Sequence, residues 1–131
     1  MPLSAGKPAA DGQTLAILAE ALYLANLLVA PGIAFGLLWW LWHKNKDSAP
    51  PLARQHLKQT TLVSLYGGML IVAVTAIFLA VGGLDRGWTW VVVILYFTCF
   101  HSTLVMFGMF GLAKAMAGQV WRFPLIGPSL K

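Results

Sequence analysis

Three long stretches of the chain carry no Asp, Glu, Lys or Arg: Ala21 to Trp42, Gln59 to Leu84 and Gly87 to Ala113. They hold 22, 26 and 27 residues. About 20 apolar residues carry a helix across the hydrocarbon core of a bilayer. Backbone in lipid must satisfy its own hydrogen bonds, and a helix does so within one segment. The pattern predicts an all-α integral membrane protein with three transmembrane helices, over about 14–42, 51–82 and 87–117. Together they form one three-helix membrane domain over 14–117. It is flanked by a flexible N-terminus, 1–13, and a cytoplasmic C-terminal tail, 118–131.

Polar and turn-forming residues punctuate the pattern. As one helix, Leu15 to Trp42 would reach roughly 42 Å. Pro31 lies in its middle without a backbone donor, so the first helix is expected to be kinked there. The stretch is too long for a signal-peptide core and no small-residue cleavage site follows it, so it reads as a membrane helix. The polar turn KNKDSAPP covers 44–51, and Pro50 and Pro51 suit a helix start. GGLDRG, 82–87, is short enough to make helices two and three a tight antiparallel hairpin.

Composition agrees with the pattern. The chain is 59% hydrophobic and only 10% charged, where soluble domains carry roughly a quarter charged residues. That excludes a soluble enzyme, a disulfide scaffold and a disordered tail. Bases predict orientation: Lys44, Lys46, Arg54, Lys58, Lys114, Arg122 and Lys131 fall on one side, and Lys7 and Arg86 on the other. The richer side is cytoplasmic by the positive-inside rule. The N-terminus is thus expected outside and the C-terminus in the cytoplasm of a bacterial inner membrane. The net charge of +5 reflects this asymmetry and contact with anionic headgroups. No readout residues suggest nucleic acid as a partner. Trp39, Trp40, Trp42, Trp88, Trp90 and Trp121 flank the helices at interfacial positions. Cys99 is the single cysteine, so it forms no intrachain disulfide and no metal site.

Few polar residues remain inside the apolar stretches. His101 falls near the middle of the third helix, where an ionisable group suggests function. It is the candidate cofactor-binding residue, for haem b or a quinone, or a proton relay. The alternative is a neutral histidine bonded to a neighbouring helix. Glu20 is expected near the outer surface, paired with Arg86 or hydrated, with proton carriage as the alternative. Arg54, His56, Lys58 and Arg122 are candidate partner or lipid contacts at the cytoplasmic end. Gly32, Gly36, Gly68 and Gly108 are candidate helix-packing positions. No catalytic constellation and no metal-spaced cluster is present, so no enzyme activity is expected.

Two segments carry a resemblance. APGIAFGLLWWLWHKNKDSAPPLARQHLKQT closes the first helix and opens the second, and LAKAMAGQVWRFPLIGPSLK ends the chain. With Pro31, Gly32, Trp40, Pro51, Arg54, Gln55, His56 and Gln59, then Arg122, Phe123, Pro124 and Leu125, the chain resembles small membrane proteins of the chloroplast-import-translocon-like group. That group includes a bacterial domain of unknown function and the MamF-like magnetosome proteins. The resemblance covers roughly residues 25 to 131. It implies a non-catalytic accessory or assembly subunit, without a cofactor, working with other membrane subunits or as a homo-oligomer. The alternative is a small subunit of a redox complex that touches haem or quinone through His101. A further alternative is a homo-oligomeric channel or translocon-like component.

Overall fold

A computed structural model describes residues 10–122. Among them are four helices and no strand: α1 (Gln13–Leu28), α2 (Ile33–Asn45), α3 (Pro51–Gly82) and α4 (Gly87–Met116). Only α3 and α4 are long and apolar enough to cross a membrane. At 1.5 Å per residue they reach about 48 and 45 Å, beyond a core of roughly 30 Å. Gly83, with φ of 88°, ends α3, and α4 begins four residues later. The two run antiparallel, as the short GGLDRG segment requires. The Tyr96 hydroxyl donates to the Leu70 carbonyl across the pair at 2.8 Å.

The expected first transmembrane helix is not one kinked span. The chain breaks fully between Leu28 and Ile33, and α1 and α2 fold back on each other. Ala19 of α1 packs with Leu38 of α2 and Leu57 of α3, and Leu15, Leu22, Leu41 and Trp42 close around them. Residues on either side of the turn thus meet, which is the arrangement of an antiparallel helical hairpin. The local cause is Pro31-Gly32. Proline disfavours helical backbone in the residue before it and cannot donate to the preceding turn. Gly32 adopts φ of 85°, a left-handed conformation that costs glycine little. Its N–H donates to the Asn26 side-chain oxygen at 2.8 Å, closing the turn. The count of three spans is therefore corrected to two. At about 24 and 20 Å, α1 and α2 each fall short of a crossing.

This hairpin also sets where α1 begins. The Gln13 amide donates to the Met116 carbonyl at the end of α4, at 2.7 Å. Gly12 abuts Pro50 and Ala53 at the start of α3. The beginning of α1, the α2–α3 loop and the end of α4 share one end of the bundle. The N-terminal side of α1 therefore lies with the C-terminal side of α4, not opposite it. That end carries Lys44, Lys46, Arg54, Lys58, Lys114 and Arg122, whereas Arg86 is at the other end.

α2 touches α1 and α3, whereas α1, like α3, packs against all three other helices. The buried residues of α1 are Ala16, Ala19, Glu20 and Tyr23, and the two alanines permit close approach to both long helices. Beyond the hairpin tip only α3 and α4 continue. Val72, Ile77, Val81, Ile94 and Leu95 are exposed there, as expected of a lipid-facing surface.

Candidate functional site

Along α1, Glu20, Tyr23 and Leu27 recur at helical spacing and face α4. α4 meets them with Gly111, Gly108 and Leu104, and finally His101, in antiparallel order. Gly108 lies against the Tyr23 ring and Leu24, and a Cβ at Gly111 would fall on the Glu20 carboxyl group. The Tyr23 hydroxyl donates to the Leu104 carbonyl at 3.0 Å. Each contact fills a place left by a glycine or satisfies a helix carbonyl.

Glu20 is fully buried, and so is His56 on α3. Glu20 Oε1 lies 3.3 Å from His56 Nδ1, and this is the one ion-pair geometry among the described residues. The other ring nitrogen, His56 Nε2, donates to the Gln119 carbonyl at 2.8 Å. Gln55 binds the same C-terminal segment from both sides of its amide. Its nitrogen donates to the Trp121 carbonyl at 2.6 Å and its oxygen accepts from the Trp121 N–H at 3.3 Å. The cluster thus ties α1, α3 and the segment after α4 at the basic end of the bundle. A buried pair of this kind is neutral in net charge, and its mutual attraction offsets part of the cost of taking both groups out of water.

The second polar centre is the hairpin tip. His101 lies about 21 Å along α4 from Gly87, near its middle. Its Nε2 donates to the Leu27 carbonyl at 2.9 Å, and its ring stacks on Phe97 at 5.1 Å. Carbonyls in the last turn of a helix lack intrahelical partners, and His101 supplies one from a neighbouring helix. His101 Nε2 is thus engaged by the backbone of α1. A cleft of about 750 Å³ opens beside this tip, lined by Asn26, Phe35, Ser64, Met69, Val72 and Phe97 among others. Replacing His101 with alanine is expected to cost about 1–3 kcal/mol by leaving the Leu27 carbonyl unpaired. An SDS unfolding titration of the purified protein checks it, and His101→Gln, which keeps an N–H donor, should recover most of the loss.

The remaining sequence candidates separate. Arg54 is exposed and its guanidinium donates to the Ala49 carbonyl at 2.8 Å. Lys58 is half-buried and Arg122 exposed, both at the basic end with His56. His56 itself is a core residue and not a headgroup contact, because both ring nitrogens face protein. Of the four glycines, Gly108 packs against another helix. Gly32 serves the turn, and Gly36 and Gly68 meet open space, so their expected packing role within this chain is corrected. Phe123, Pro124 and Leu125 lie outside the described residues.

Sequence reasoning put Glu20 at the far surface beside Arg86, whereas the fold buries it beside His56. The error follows from the unbroken first helix. Once the chain reverses at Pro31-Gly32, Glu20 moves to the basic half of the bundle. The i, i+3, i+7 spacing of Glu20, Tyr23 and Leu27 was the available signal for a helix face that meets other helices.

The chain matches the family described as the magnetosome magnetite crystal formation protein family, MamF_MmsF, over residues 11–130. No curated protein and no solved structure matches it.

Proposed function

Because the chain belongs to the magnetosome magnetite crystal formation protein family, we propose that it is a small, non-catalytic integral membrane protein that acts by assembly with other membrane subunits, in the process for which that family is named. Its basic end faces the cytoplasm, in keeping with the positive-inside rule. Both sides of the α1–α2 hairpin begin from that end.

The observation that carries this reading is the unequal thickness of the bundle. One half has four helices and the other has two, with the cleft of about 750 Å³ between them at the hairpin tip. Exposed Val72, Ile94 and Leu95 border the thin half. A partner helix seated there would gain the close packing that stabilises membrane assemblies. The internal polar groups support the same reading. Tyr23, Gln55, His56 and His101 each bond a backbone carbonyl of another segment, which is a structural use.

The test is mild-detergent purification from the native membrane after cross-linking, with an absorbance spectrum of the product. A colourless complex with stoichiometric membrane partners, retained in His101→Gln, is expected. A haem absorbance band that His101→Gln abolishes would overturn the proposal in favour of a redox subunit. Recovery of the chain alone, without partners, would overturn it as well.

A further inference from the structure

We propose that Glu20 and His56 form a binding site for one exchangeable proton inside the bundle, with internal water at the second carboxyl oxygen of Glu20. The inference is independent of the assembly role proposed above and starts from hydrogen-bond bookkeeping. His56 Nε2 faces the Gln119 carbonyl at 2.8 Å, and a carbonyl only accepts. Nε2 therefore carries a hydrogen. A neutral imidazole has one N–H, so Nδ1 would then be bare. Glu20 Oε1 stands 3.3 Å from that nitrogen. A bare carboxylate and a bare nitrogen repel, and burial of both leaves no water between them to relieve it. One further proton in the contact resolves the conflict. It resides on Glu20 as a carboxylic acid donating to Nδ1, or on Nδ1 as imidazolium beside carboxylate. Both forms have zero net charge, and losing the proton leaves a single buried negative charge.

Other groups do not remove the need for that proton. On α1, Tyr23 lies one turn away with its hydroxyl donating to Leu104. α4 presents Gly111 to the carboxyl group, and Lys114 beyond it is exposed and donates to the Gln119 side chain at 3.2 Å. α2 packs apolar Leu38 on this side, while its His43 is exposed at the end of the helix and bonds Trp39. The segment after α4 contributes the Gln119 carbonyl.

Glu20 Oε2, Thr61 Oγ1 and Ser64 Oγ are buried and have no protein partner. Buried polar atoms of this kind are ordinarily satisfied by internal water. Water bound at Glu20 Oε2 gives the proton a partner for exchange.

The test is solid-state NMR of the full chain, with ¹⁵N-labelled histidine, in phospholipid vesicles. At neutral pH the His56 Nδ1 signal is expected to be that of a protonated or strongly hydrogen-bonded nitrogen. It should shift to a bare acceptor in alkali, and the site should exchange its proton after transfer to D₂O. Glu20→Gln keeps an N–H donor toward Nδ1, so the variant folds, as circular dichroism will verify, but this alkaline transition is lost. A bare Nδ1 in the wild type at neutral pH would overturn the proposal. So would an alkaline transition unchanged in Glu20→Gln. A proton that resists exchange into D₂O would overturn the internal water at Glu20.

Discussion

Replacing His56 with leucine is expected to destabilise the fold by about 3–5 kcal/mol, the usual consequence of removing one partner of a buried pair. Glu20 would remain fully enclosed, its carboxyl group without the imidazole that faces it. The Gln119 carbonyl would lose its donor too. SDS unfolding titrations of wild type and variant measure the difference. The double variant Glu20→Leu/His56→Leu separates pairing from packing. Well-packed apolar replacements of buried pairs are often neutral or stabilising. The double variant should therefore be more stable than His56→Leu alone. If it is less stable by the sum of the single effects, the two side chains do not act as a pair.

Gly111→Ala is the second expected large effect. In an ordinary helix interior, alanine is better than glycine by roughly 0.5–1 kcal/mol. At Gly111 the added methyl group meets the Glu20 carboxyl group. The side chain can evade it only by leaving His56, so overpacking should reverse the sign and cost about 1–3 kcal/mol. Gly68 supplies the comparison, because a Cβ there meets nothing within 4 Å. Gly68→Ala should be neutral or stabilising. In a Glu20→Ala background the penalty at Gly111 should largely disappear, since contacting residues couple. An equal response at the two glycines would contradict the close approach of α1 and α4.

The long neutral stretches made the helical class and the α3–α4 hairpin legible. Their length, and the six residues of GGLDRG, left little freedom. The first stretch was misread for a physical reason. Composition and length report solubility in lipid, and a helix that crosses and a hairpin that enters and returns have the same composition. What separates them is the backbone at Pro31-Gly32, where a kink and a full reversal are both compatible with the sequence. His101 stands out in the sequence as an ionisable residue amid an apolar stretch, and in the fold its Nε2 bonds a neighbouring helix. Its particular partner, the Leu27 carbonyl, exists only because α1 ends there. Glu20 and His56 are 36 positions apart, and their meeting depends on the same reversal. With α1 drawn as half of a crossing, their pairing could not be read from spacing.

The reversal itself is best tested by the accessibility of single cysteines in intact membrane vesicles. On a Cys99→Ala background, cysteines at Asp11, Asp47 and Asp85 would be treated with a membrane-impermeant thiol reagent. Asp11 and Asp47 are both exposed at the basic end, and Asp85 is exposed in the opposite turn. Positions 11 and 47 are expected to label from one face and position 85 from the other. Labelling of position 11 together with 85, opposite to 47, would mean that the first stretch crosses the bilayer and would contradict the α1–α2 hairpin.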